Sequence, residues 1–414
     1  MPYSEQSQGY VAYKIQSALG TQASGSDAEV LRLTGGQQGR LTKAAVESQE
    51  VRRDAMSVIG RHGTQKTAGA YDTELSIGNV DTILEAVMRG TYEAAIVVDD
   101  ATVAMSSATL SVSSNVITAS AGSFITSGFR VGDIVRESEG IAAADRDKNM
   151  RITALTATAM TVVRLDGTAL TDAAGPIAAW TITRTGRKLI NPAAGSLVKR
   201  YFTIEEYEVL IDSSEIFDDC VWSGMAFSMA PNGLFMANPS WTGTGQFETK
   251  TAGDAPFFSS PTETSAEPLA AIDAQLYLGS SEILDLTAFD LTIDTQATAP
   301  DVAASVYAPD VFQGAMTVGM NLTMLRSDLL DVADFINETA LSLHVVISEP
   351  ESAPEDFVSI YVPNFTLGSV DKSALSKAGG PRTHTIAVPP ALVGKDLQGG
   401  AYDPAMIKFQ VSNA

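Results

Sequence analysis

Apolar and polar residues alternate with period two along much of this 414-residue chain. Phe289, Leu291 and Ile293 alternate with Asp290, Thr292 and Asp294, which places one face on a core and the other toward solvent. The stretches Phe202-Thr203-Ile204-Glu205-Glu206-Tyr207 and Phe357-Val358-Ser359-Ile360-Tyr361-Val362 read as further strands. Helical spacing occurs twice. Asp81 precedes Ile83, Leu84, Val87 and Met88 as a predicted N-cap, and Ser327 precedes Leu329, Leu330, Ala333 and Ile336 in the same way. The predicted fold class is mainly β, with short amphipathic helices among the strands.

The strand and helix signals recur. Leu31-Arg32-Leu33 returns as Leu276-Tyr277-Leu278, and Leu41-Thr42 with Val46 returns as Leu286-Thr287 with Leu291. Asp81 to Ala86 matches Ser327 to Val332 at nearly the same offset. Such self-similarity suggests a tandem duplication of one β-sandwich or barrel module with one helix per copy. Between helix and next strand the first copy is about ninety residues longer than the second, the size of a small domain. That stretch holds short β-branched runs separated by Gly, Asp and Ser, predicting an inserted small β-barrel or sandwich. The expected organisation is an N-terminal arm (1–28), module 1 (29–98 with 191–250), the insertion (99–190), a linker with Pro256, Pro261 and Pro268 (251–268), and module 2 (269–414).

Charge sharpens this picture. The net charge is −22, and it is uneven: residues 101–200 carry net +4, while residues 201–300 carry one basic and sixteen acidic side chains. An ordinary nucleic-acid binder, which needs a basic footprint, is excluded. One cysteine, Cys220, leaves no internal disulfide framework and no multi-cysteine zinc site. The N-terminus lacks a signal-peptide pattern and no stretch reaches the roughly 20 apolar residues of a membrane span.

Catalytic and binding motifs are sparse. His62, His344 and His384 lack metal-ligand spacing, and His344 reads as a structural strand residue. Residues Gly35 to Thr42 lack the lysine of a phosphate loop and read as a turn between strands. Asp145-Arg146-Asp147-Lys148-Asn149 starts like a calcium loop, but Met150 and Thr156 stand where Gly and Glu are needed, so an exposed turn is expected. Asp218 and Asp219 beside Cys220 suppress thiol reactivity. No cofactor, metal or enzymatic activity is expected. Carboxylates are numerous, so a carboxylate-based hydrolase and a β-rich adhesin or carbohydrate-binding surface protein stand as alternatives.

The opening Tyr3-Ser4-Glu5-Gln6-Ser7-Gln8-Gly9-Tyr10-Val11-Ala12, the run Arg53 to Thr67, the segment Asn79 to Gly90, and Phe202 to Glu206 with Gly224 to Gly233 resemble the major tail tube proteins of long non-contractile-tailed (siphovirus-type) bacteriophages. The resemblance implies a virion protein, assembled in the host cytoplasm, that polymerises into stacked rings around a channel for DNA ejection. It also implies self contacts and partners among the tape-measure protein and the tail terminator and tip proteins, and no membrane. Three copies of a doubled fold would form a pseudo-hexameric ring, and six chains would be needed if the second half were an appendage. An acidic wall would let DNA pass without holding it. The expected channel-facing residues are Glu47, Gln49, Asp290, Thr292 and Asp294, and the expected inter-ring arm residues are Tyr3, Tyr10 and Tyr13.

Overall fold

The protein is described by a computed structural model covering residues 3–5, 7–36, 38–350, 354–377 and 379–412; Gln6 and Gln37, from segments singled out above, lie outside them. The elements used below are β1 (Gly9–Ile15), β2 (Arg40–Val46), β3 (Arg61–Ala70), α1 (Asp81–Met88), β4 (Arg187–Ile190), β5 (Phe202–Glu208), β6 (Ser213–Met229), β7 (Met236–Gly243) and β8 (Ala274–Leu278). They continue with β9 (Leu286–Asp294), β10 (Thr317–Leu325), α2 (Leu330–Ile336), β11 (Leu341–Glu349), β12 (Asp356–Phe365), β13 (Ser369–Lys372), β14 (Thr383–Val388) and β15 (Lys408–Ser412).

The strands form an antiparallel run in the order β2-β3-β7-β6-β9-β10-β14-β13. Its first four strands lie before residue 244 and its last four after residue 285. Both quartets are built alike: a hairpin (β2–β3 or β9–β10) comes first, and the later member of a second strand pair (β7 or β14) lies next to it. The earlier member (β6 or β13) lies beyond. In both halves a helix follows the hairpin in sequence. The quartets meet where β6 pairs with β9, Gly224 opposite Asp294 through Met229 opposite Phe289.

Alternation decides what each face of this run does. Phe289, Leu291 and Ile293 of β9 join Val318, Met320 and Leu322 of β10 and Met225, Phe227 and Met229 of β6 in one buried cluster. A second sheet, β4-β15-β12-β11-β8 plus the short strand Ser281–Ile283, closes over them. It contributes Leu343, Val345, Ile347, Val358, Ile360, Phe409 and Val411 to the same cluster. Each large aliphatic side chain buried there contributes about 1.5–3 kcal/mol. In the first half Trp222 is buried against Tyr13, Tyr71 and Phe202.

The interposed residues of the second sheet face the other way and meet the insertion. Eight short strands between Ile96 and Arg184 form their own antiparallel sheet around a separate core that includes Phe124, Phe129, Trp180 and Ile182. This unit packs through Ile134 and Leu165 on Tyr277, Val346 and Phe357. Lys408 Nζ sits 2.8 Å from Asp133 and 3.3 Å from Asp403, and donates to the Val131 carbonyl. Gln410 uses both ends of its amide on the backbone of Ile134, and the Arg151 guanidinium lies 3.8 Å over the Tyr277 ring. The insertion is therefore docked behind the second sheet, on the side away from the eight-strand run.

The helices require corrections to the expected caps. Asp81 is the first residue of α1 and ion-pairs with Arg187 instead of capping. At α2 the capping oxygen is that of Asp328, which accepts the Leu330 N–H at 2.9 Å, and Ser327 lies outside. α1 is buried along Ile83, Leu84, Val87 and Met88. The matching face expected for α2 is uncovered: Leu329, Leu330 and Ile336 are exposed.

Within the insertion, Glu137 is enclosed, with Oε1 accepting the Ile141 N–H and Oε2 without a partner. Burial pushes its carboxyl up to about 8. A raised folded value means the neutral acid suits the fold. Stability is then complete below the ordinary value of 4.5 and is lost as pH rises through about 8. Glu137→Gln is expected to raise the melting temperature of the insertion's transition at pH 8.5, a gain of roughly 1–3 kcal/mol, and to leave it nearly unchanged at pH 4.5. Melts at the two pH values check this; equal effects at both would refute it.

Candidate functional site

Opposite the core, the eight-strand run presents a face that its own chain leaves open at its centre. Asp290, Thr292 and Asp294 all project there and are exposed, as their alternation predicts. Pairing registers place Ser228 beside Asp290 and Ala226 beside Thr292 on one flank, and Asn321 beside Asp290 on the other. Farther along, Thr323 and Thr385 join their hydroxyls at 3.0 Å, and Asp371 lies opposite Thr385. Around Asp290 the residues sharing this face, among them Ala226, Ser228, Thr292, Asp294, Gly319, Asn321, Thr323 and Thr385, are small, hydroxyl-bearing, amide or acidic, with the aliphatic Val221 and Leu325 farther out. Asn321 and Ser228 escaped the sequence reading. The alternation of Val318, Met320 and Leu322 with Gly319, Asn321 and Thr323 carried the signal for Asn321.

The other expected residues are placed differently. Glu47 and Gln49 lie beyond Val46, the last residue of β2, in the exposed connection 47–60. Tyr3 is exposed. Tyr10 is half-buried and stacks on Tyr207 with centroids 5.3 Å apart. Tyr13 is buried in the core of its own chain, and its hydroxyl donates to Glu29 at 2.7 Å. Both Tyr10 and Tyr13 belong to β1, which runs antiparallel along β5 from Gly9 opposite Glu208 to Ile15 opposite Phe202. Between the halves, the N–H groups of Phe257 and Phe258 donate to the Glu205 carboxylate at 2.6 and 2.8 Å, which pins the proline-rich stretch to β5.

The candidate chemical groups occupy structural positions. His344 is buried on β11 and shares a 2.7 Å hydrogen bond with Ser359 Oγ. Cys220 is buried, and burial, followed by Asp218 and Asp219, pushes its thiol well above the ordinary value. The turn at 145–149 is exposed at Arg146, Asp147 and Lys148 as expected, but not at its first residue. Asp145 is buried and pairs with Arg164 at 2.5 Å, because the following chain folds over it and Thr171 donates its N–H to the second carboxylate oxygen. Among the described residues no cluster of three His, Cys, Asp or Glu could hold a metal ion, and no helix is long and apolar enough to cross a membrane.

An antiparallel sheet with one face on a core and the other polar and open, backed by a second sheet, defines a β-sandwich-rich protein whose distinctive feature is a surface and not a cleft. The family model described as phage tail tube protein matches residues 6–388, and the chain belongs to that family. No curated protein matches it significantly. Membership makes it a structural component of the virion tail that self-assembles into a tube.

Proposed function

We propose that three copies of this chain close into a ring whose eight-stranded runs join edge to edge around a channel, and that rings stack into the tail tube. The observation that carries this reading is the repeated strand order: residues 29–98 with 191–250 and residues 269–414 each supply a hairpin, a helix and a second strand pair to one run. This supports reading the halves as duplicated modules. Three chains with two modules each then give a pseudo-hexameric ring.

In this arrangement the face bearing Asp290, Thr292, Asp294 and Asn321 lines the channel. On β6, β9, β10 and β14 this wall offers DNA phosphates no cation to exchange for their counterions, and on β3 Lys66 of the same face is paired with Asp301, so the duplex slides during ejection. The tape-measure protein fills the same channel during assembly in the host cytoplasm, and terminator and tip proteins cap the stack. The insertion, docked behind the second sheet, points outward. Glu47 and Gln49, on the exposed hairpin connection, and Tyr3, at the exposed N-terminus, are assigned to contacts between copies.

Purified protein is expected to form uniform hollow filaments with threefold symmetry, read by electron microscopy and image averaging. Sixfold symmetry with one chain per repeat would overturn the trimer, and persistent monomers in the presence of a tip nucleator would overturn the tube.

A further inference from the structure

Among the described residues, two of the apolar surfaces that the chain itself leaves uncovered belong to the hairpin and the helix of the repeat. One is the outer half of the β2–β3 hairpin, where Val46, Val51, Met56 and Ile59 are exposed and β2 is solvent-facing on both sides. The other is α2, with Leu329, Leu330, Phe335 and Ile336 exposed. Contiguous apolar surface of this kind marks an interaction site.

The chain contains its own example of how such a hairpin is seated. The β9–β10 hairpin occupies the same place in its half as β2–β3 does in the other, and its connection, residues 295–316, folds over the first half. Val311 is buried against Val221 and Tyr201. The Gln65 N–H donates to the Val306 carbonyl and the Ala308 N–H to that of Thr244. Asp310 pairs with Lys199 at 2.7 Å and Asp301 with Lys66 at 3.2 Å. Next to Lys199, Arg200 holds Glu85 of α1 at 3.0 Å. One half's hairpin connection thus covers the ground beside the other half's helix, whereas the corresponding ground at α2 is bare.

The place of the hairpin in the repeated strand order selects the occupant, and charge at its tip agrees. Residues 43–62, the outer half of the hairpin, carry four basic and three acidic side chains, with Arg52 and Arg53 at the tip and Arg52 paired to Asp54 at 2.8 Å, while residues 327–338 carry four acidic and none basic. The ground beside α1 is already filled by residues 295–316 of the same chain, through Asp310 on Lys199 and Asp301 on Lys66, and is closed to a second hairpin. Complementary fields steer such surfaces together and suppress wrong pairings.

We propose that the β2–β3 connection of one copy seats laterally on α2 of the neighbouring copy in the same ring, repeating between chains the contact that residues 295–316 make within one. The inference rests on the ring reading above. It accounts for the hairpin and the α2 surfaces with one contact.

The test uses Ile59→Cys and Leu330→Cys, with buried Cys220 silent. Tubes co-assembled from the two single variants are oxidised and run without reducing agent. The expected result is a crosslink between the two variants, absent when Leu330→Cys is replaced by Val103→Cys on the insertion. In the double variant the covalent species is expected to close at one ring's worth of chains. Normal tubes without the crosslink, or a ladder extending past one ring, would overturn the lateral seat and leave the tube reading standing; failure of the wild type to form tubes would remove the tube reading itself. Independently, Arg52→Glu with Arg53→Glu is expected to slow assembly about tenfold, and adding Asp334→Lys with Glu338→Lys to restore it. Slowing without rescue in a folded protein would also count against the seat.

Discussion

Tubes carrying Asp290→Lys, Thr292→Lys and Asp294→Lys are expected to hold duplex DNA, while wild-type tubes do not. All three positions are exposed on the open face, and their neighbours Phe289, Leu291 and Ile293 alone face the core, so the substitutions should leave folding and assembly intact. Each lysine that reaches a phosphate releases condensed counterions and steepens the dependence of log affinity on log salt by about 0.9. Repeated around every ring and along the stack, these contacts turn a sliding surface into a retaining one. Co-sedimentation of tubes with DNA across a salt series measures the effect, and a phage carrying the triple substitution should eject its genome far more slowly. Variant tubes that retain no DNA at low salt would show that this face does not line the channel.

The second large effect is expected at Lys408, which joins the insertion to the second sheet. Removing its ammonium strands Asp133, which is fully buried and whose carboxylate, among the described residues, otherwise accepts a hydrogen bond from the Arg130 N–H at 2.8 Å. Asp403 keeps Lys188 at 3.1 Å. Breaking one side of a buried pair costs about 3–5 kcal/mol. Lys408→Met should therefore loosen the insertion, detected as protease cleavage near residues 131–134 and a separate early melting transition. Adding Asp133→Asn should recover most of the loss, because the orphaned charge goes with it. A Lys408→Met protein as protease-resistant as the wild type would refute the argument.

The same cluster sets a pH window. Burial disfavours the charged forms, but Asp133 and Asp403 more than reverse this at Lys408, which is raised above 10.5. Burial likewise lifts Asp403, and Lys408 and Lys188 more than reverse it, leaving the carboxyl below 3.8. The lysine's contribution is complete below 10.5 and lost as pH rises through its raised value. The aspartate's is complete above 3.8 and lost as pH falls through its lowered value. Docking by this cluster thus holds throughout the range between.

How much of this was legible depended on the kind of signal. The strand at Leu286–Asp294 was readable because period-two alternation is a local consequence of the pleat, and its exposed carboxylates came with it. The same logic misleads at β15: Lys408 and Gln410 alternate with Phe409 and Val411 as a solvated face would, yet both are buried against the insertion. Alternation identifies residues that share a face; it does not say what lies on that face. For α2 the error runs the other way, since apolar residues at helical spacing imply a partner that this chain does not provide. Tyr10 and Tyr13 lay in a stretch with no clear periodicity, and their strand forms because β5 supplies a pairing edge nearly two hundred residues away.

By itself the sequence determined the β class, the two short helices, the strand-rich insertion, the acidic balance and the exposed row on β9, because each follows from side-chain spacing within a dozen residues or from composition. Only the tertiary structure decided that the two halves share one sheet in matching order, that the insertion is bolted to the second sheet by buried charges, and that one helix is covered and the other bare. Those outcomes depend on hydrogen bonds and packing between segments hundreds of residues apart, whose partners no local pattern names.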